Sequence, residues 1–278
     1  MEQMGRQRSV ASTLTDVWNI KTFDDLLIAE LDAKRELFCN YEHTAKRNYR
    51  EQQVAKGWVP LKENPYAAER QHILERIIMP MMKERTIRAW HYTRLTDDEV
   101  QLLRSDGIHT SDLAAIRRRL DAQVAAGVIS AEVADALYGA SPFHHQQEAR
   151  SGKFWMTSHP FPTDHHGVEL LLAHWGGEGV YFWLEDRELT EIVKGIGRPR
   201  VIEVAVPLHV TTSAYSAAKA VIATFVMAHG CEPDWPAFDL YTTKALGADA
   251  VLNVLTENAP DFSGLARGYP AHFVDREL

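Results

Sequence analysis

Apolar residues recur at helical spacing through the first part of the chain and at strand spacing after it. Thr22-Phe23-Asp24-Asp25 reads as a helix start, with Thr22 or Asp24 as the cap and Leu27, Leu31 and Phe38 among the apolar positions that follow. A polar-rich helix is expected over residues 41–56, broken by Gly57, Pro60 and Pro65. Residues 66–78 repeat the helical period through Ile73, Leu74 and Ile77. That helix is expected to end near Pro80, because proline lacks the N–H and its ring crowds the preceding turn.

From Ile87 the texture changes. Ile87-Arg88-Ala89-Trp90-His91-Tyr92 predicts a strand. Thr96-Asp97-Asp98-Glu99 then opens a helix with its carboxylates against the positive end of the helix dipole, and Gly107 closes it. Residues 111–137, with a break at Gly127 and a new cap at Ser130, predict a helical hairpin. Further strands are expected at 153–157, 179–184, 200–206, 238–243 and 251–255, with helices over 168–175, 189–194 and 216–229 between them. Strands separated by helices in this irregular order give the class α+β.

At 278 residues the chain has room for one large domain or two smaller ones. A net charge of −8 provides no general attraction to nucleic acid. The basic clusters Arg117-Arg118-Arg119 and Lys46-Arg47 with Arg50 are read as solvated helix faces. Cys39 and Cys231 stand far apart without metal-ligand spacing, which fits a reducing cytoplasm. The polar opening Met1-Glu2-Gln3-Met4 has no apolar signal region behind it, and no run of about 18 apolar residues occurs. A cytoplasmic protein without a membrane span is the expectation.

Candidate chemistry sits in two segments, Ala89-Trp90-His91-Tyr92-Thr93-Arg94 and Gly177-Glu178-Gly179-Val180-Tyr181-Phe182. A histidine and a tyrosine presented from two strands make a slot for a flat polar ring such as nicotinamide. The imidazole hydrogen-bonds a ribose hydroxyl and the phenol face stacks on the ring. Together with Ser105-Asp106-Gly107-Ile108 and Ile202-Glu203-Val204-Ala205-Val206, these segments resemble the ADP-ribosyltransferase fold, in its diphtheria-toxin and poly(ADP-ribose) polymerase branch, over residues 87–257.

The resemblance implies a split β-sheet core within residues 87–278, a helical insertion at about 111–140 and a separate helical region at 1–86. It implies NAD as substrate. His91 would hold the nicotinamide-side ribose and Tyr181 would stack on the nicotinamide. Tyr92 and Thr93 would flank the cofactor, Arg94 would meet a pyrophosphate oxygen, and Trp155 would reach the slot from a strand edge. In the family a glutamate commonly fills the third catalytic place. Here Asp239, ahead of Leu240-Tyr241-Thr242-Thr243, stands there with one methylene less, and Glu257 and Glu203 are weaker candidates.

The implied activity is mono-ADP-ribosyl transfer to a protein, nucleic acid or small-molecule acceptor, as in a toxin or a phage-defence effector. Residues 1–86 would cover an apolar face or dock a protein partner. The missing glutamate keeps open an inactive module that binds NAD, ADP-ribose or a partner. A third reading, a metal hydrolase, draws on the histidine-rich window of His144, His145, His159, His165, His166 and His174 with Glu148 and Glu169. That window lacks the spacing of known zinc motifs, and no metal is expected.

Overall fold

The strand expected at Ile87 lies at the centre of the molecule. The computed structural model describes residues 14–55, 57, 60, 62–234 and 237–270, so the expectations resting on Met1 to Met4 and on Lys56 lie outside the described residues. In it β1 (Thr86–Leu95) is the middle strand of a five-stranded antiparallel sheet. Its companions are β2 (Phe154–Thr157), β3 (Arg198–Pro207), β4 (Asp239–Thr242) and β5 (Val251–Thr256), in the order β4-β2-β1-β3-β5. With helices between the strands, the fold is α+β.

The pairing is uneven, and this decides the shape of the sheet. β1 pairs β3 over ten positions, from Thr86 opposite Pro207 to Leu95 opposite Arg198. β2 pairs β4 over four positions. Between β1 and β2 there is a single pair, Trp90 opposite Thr157. The two halves of the sheet therefore part beyond Trp90, and a fork opens at His91.

The main core packs on the face of β1 that carries Ile87, Ala89 and Leu95. Helices α1 (Asp25–Ala33), α2 (Arg35–Val54), α3 (Ala67–Ile73) and α4 (Met79–Lys83) bury Leu27, Phe38, Ile73 and Met82 there, alongside Val221 and Phe225 of α12 (Ala214–Ala228). Asp24, rather than Thr22, caps α1, accepting from the Leu27 N–H at 2.9 Å. Thr15 bridges Ile87, with the Thr15 N–H on Thr86 O at 3.0 Å. Residues before 87 thus share one continuous core with the sheet. The free thiols of Cys39 and Cys231 meet across this layer, 2.8 Å apart.

Pro80 does not end its helix. The turn ahead of it, Leu74–Ile78, widens into a π-helix, with the Met79 N–H on Leu74 O. The wider turn makes room for the proline ring where an α-helical carbonyl would clash, and α4 continues.

Helix α5 (Asp97–Asp106) opens with the expected capping box between Thr96 and Glu99. It closes at Gly107, with φ of 83°, where a Cβ would fall 2.2 Å from Leu246 O. The hairpin forms as expected from α6 (Leu113–Ala125) and α7 (Ala131–Gly139), with Ser130 as the second cap. It has a small core of its own, in which Ile116, Leu120 and Leu137 meet Phe143, Trp175 and Val180. Helices α8 (Gln147–Arg150), α9 (His166–Ala173), α10 (Glu178–Tyr181) and α11 (Arg187–Gly195) complete the frame around it, and α13 (Pro260–Ser263) follows β5.

The strand expected at 179–184 is not formed. Gly176 and Gly177 both take positive φ, 85° and 59°, and turn the chain into α10, where the Val180 and Tyr181 N–H groups both bond Gly177 O. Val-Tyr-Phe-Trp favours strand locally, but burial of Val180 in the hairpin core overrides that preference. Among the described residues no helix is long and apolar enough to cross a membrane.

Candidate functional site

His91 occupies the fork. Alternation along β1 sets His91 and Thr93 on the face of Ile87, Ala89 and Leu95, at the point where β2 ceases to pair. The His91 Nδ1 lies 2.7 Å from the Trp155 carbonyl oxygen. A carbonyl can only accept, so Nδ1 carries the proton and donates. Burial pushes the His91 pKa down to about 4, against the hydrogen bond to Trp155 and with a further lowering from the Arg119 charge. The ring is therefore neutral near pH 7, and Nε2 is left as an acceptor. Phe154 packs against the ring, with centroids 4.3 Å apart.

The fork opens into a cavity of about 1060 Å³, between the sheet and the helical hairpin. His91, Tyr92, Thr93, Trp155 and Asp239 all line it. The structure thus brings together five of the seven residues singled out from the sequence. Their roles differ. Thr93 is buried in the wall, and the Tyr92 hydroxyl is occupied, accepting from the Phe161 N–H at 2.6 Å and donating to Phe161 O at 3.0 Å. Burial raises the Tyr92 pKa far above that of a free phenol, so this hydroxyl is a structural anchor.

Trp155 is 44% exposed at the cavity, packed on Tyr241 with Lys153 Nζ 5.9 Å above its ring. Asp239 starts β4 opposite Thr157. The residue is exposed, yet its carboxyl is desolvated enough to raise its pKa above the ordinary carboxylate value. It makes no ion pair or hydrogen bond through its side chain among the described residues.

Two expected site residues lie elsewhere. Tyr181 sits at the end of α10 instead of on a strand, and its ring stacks on His174 at 4.7 Å rather than lining the cavity. Burial, aided by Glu178, pushes its hydroxyl pKa up to about 12. Arg94 points away, with Nε donating to Ile196 O at 2.8 Å. Of the weaker candidates, Glu203 pairs with Arg88 at 2.9 Å, and neither it nor Glu257 lines the cavity.

Other lining residues had a different reading in the sequence. Arg117 is solvated, as expected, and pairs with Asp121 at 2.8 Å and Asp135 at 2.5 Å. Its neighbours Arg118 and Arg119 instead face the cavity. The available signal was the spacing Ala115, Arg118, Arg119, Ala122 and Gln123, a second stripe beside the apolar one of Ile116 and Leu120. Glu99, read only as part of a helix start, accepts from Arg119 Nε at 2.7 Å and Trp175 Nε1 at 2.8 Å. Its pKa is lowered: Arg119 and these hydrogen bonds outweigh the desolvation that is the largest single influence.

In the histidine-rich window, His165 caps α9 by accepting from the Gly167 N–H and stacks on Phe161. His144 bonds the Tyr138 carbonyl oxygen near the end of α7, and His174 bonds the Leu170 carbonyl oxygen one turn back in α9. Among the described residues no three His, Cys, Asp or Glu side chains converge to hold a metal ion. Compared with protein-family models, curated proteins and solved structures, the chain matches none of them.

Proposed function

We propose that this protein is an NAD-dependent mono-ADP-ribosyltransferase whose substrate NAD occupies the cavity at the sheet fork. The observation that carries the reading is the state of His91. It is neutral, with its proton fixed on Nδ1 by the Trp155 carbonyl and Nε2 left as an acceptor for a ribose hydroxyl. The cavity volume lies at the upper end of the range of small-molecule sites, suited to a dinucleotide. Trp155 takes over the stacking role first expected of Tyr181, because its ring is exposed within the cavity.

In the reaction the bond between nicotinamide and ribose breaks, and its electron pair leaves with nicotinamide. The ribose carbon then bonds a nucleophile of the acceptor, which loses a proton. Positive charge builds on the ribose at the transition state, and the Asp239 carboxylate, which pairs with no cation among the described residues, would stabilise it. A non-catalytic NAD-binding module is the competing reading, and Tyr181 lying off the cavity favours it. Incubation with NAD labelled in its adenylate part, with and without a cell lysate, separates the two. Label transferred to an acceptor, with nicotinamide released, supports the transferase; saturable NAD binding without nicotinamide release leaves the module.

A further inference from the structure

The polar stripe of α6 needs its own explanation. Ile116 and Leu120 bury one side of this helix in the hairpin core, while Ala115, Arg118, Arg119, Ala122 and Gln123 line the cavity. Positions three and four apart form one face, and the two alanines keep space open beside the arginines. The stripe carries no carboxylate. Arg119 is held ready: Nε donates to Glu99 at 2.7 Å, and the guanidinium lies 4.8 Å above the Trp175 ring.

That pairing satisfies one edge of the guanidinium only. Arg119 Nη2 is buried with no hydrogen-bond partner among the described residues. Gln123 is 6% exposed and lines the cavity, and its side-chain amide also has no partner among the described residues. Arg118, exposed at the cavity, forms no ion pair among them. Buried polar groups are ordinarily satisfied, so the orphaned Arg119 Nη2 calls for an acceptor, and the exposed Arg118 guanidinium and the Gln123 amide stand beside it on the same wall.

We propose that Arg118, Arg119 and Gln123 form a phosphoryl-binding wall, occupied by the diphosphate of a dinucleotide or of ADP-ribose. Planar guanidinium donors match phosphate oxygens in fork geometry, and an amide N–H adds a neutral donor. The wall takes the part first expected of Arg94, whose Nε is spent on Ile196 O. The wall and the fork line the same cavity. The inference rests on the proposed transferase reading for which diphosphate binds, and not for the wall itself.

The test titrates the full-length protein with inorganic pyrophosphate, ADP-ribose, NAD and phosphate-free nicotinamide riboside, at two salt concentrations. Arg119→Ala would strand the buried Glu99 carboxylate and endanger the fold, so Arg118→Ala, Arg118→Lys and Gln123→Ala carry the test. Arg118→Ala is expected to weaken ADP-ribose by about tenfold or more and to lessen its salt dependence. Arg118→Lys restores part of the loss, since it keeps the charge without the fork. Gln123→Ala weakens ADP-ribose less, and riboside binding stays unchanged in all three. Wild-type ADP-ribose affinity in Arg118→Ala and Gln123→Ala, or no binding of pyrophosphate and ADP-ribose to the wild type, overturns the wall. Arg118-dependent ADP-ribose binding without any NAD cleavage leaves the wall standing and removes the transferase. NAD cleavage with a wild-type KM in Arg118→Ala does the reverse.

Discussion

The N-terminal helices pack directly on the sheet, whereas the α6–α7 hairpin faces it across the cavity, and the two use their faces in opposite ways. Helices α1 to α4 and α12 turn apolar side chains such as Phe38, Ile73 and Val221 into the main core. The hairpin buries Ile116 and Leu120 in a separate small core and turns Arg118, Arg119 and Gln123 toward the fork. Amphipathicity in the first case stabilises the fold. In the second, part of the polar face is enclosed, and Arg119 Nη2 is buried there without a hydrogen-bond partner among the described residues. The insertion is thereby a wall of the site.

Stability should separate the two layers most strongly. Phe38→Ala removes a fully buried ring from the continuous core and is expected to cost about 3–5 kcal/mol, lowering the denaturation midpoint of the whole chain. Leu120→Ala, in the hairpin core, is expected to cost about 2–5 kcal/mol but to act mainly on the hairpin. Hydrogen exchange would then show α6 and α7 opening while β1 and β3 stay protected. Equal loss of protection in both layers would show that the hairpin and the main core open as one unit.

Asp239→Asn comes next. It keeps size and loses charge, so transfer should fall by about 10²–10³ with NAD affinity little changed, read as kcat against Kd. Wild-type turnover would remove Asp239 from the chemistry. The acid limb of the rate profile should also lie above the ordinary aspartate range, because the Asp239 pKa is raised and its charge is lost sooner as pH falls.

A smaller effect is expected at the aromatic position. Trp155→Ala should weaken NAD binding by up to about tenfold, for stacking worth roughly 0.5–1.5 kcal/mol. Tyr181→Ala is the matched comparison, since its ring lies against His174. A larger loss at Tyr181 than at Trp155 would hand the stacking role back to it.

The fork has its own pH signature, the subtlest of the four. His91 has a folded pKa near 4 against an ordinary value of 6.5, so the unfolded chain binds the extra proton between these values. Stability is expected to fall as pH drops through that window and to be unaffected above it. His159, lowered likewise to about 4, contributes in the same sense. Urea midpoints at pH 7, 5.5 and 4.5 should decline less steeply in His91→Gln; an unchanged slope would show that His91 is not buried neutral.

Most of the local structure was legible in the order of residues along the chain. Five expected strands, the Thr96 capping box, the Gly107 stop and the Ser130 cap depend on neighbours within a few residues, and those neighbours are visible in the chain. His91, Trp155 and Asp239 were legible as candidates by residue type and place on a strand. What the tertiary structure alone decided was which faces are enclosed. Pro80 stays in a helix because a π turn absorbs it, and 179–184 curls into α10 because Val180 has a core to enter. Tyr181 leaves the site and Arg118, Arg119 and Gln123 join it because the hairpin folds over the fork. A helical stripe of arginines reads the same whether it meets water or a cavity, and only packing against a distant segment distinguishes the two.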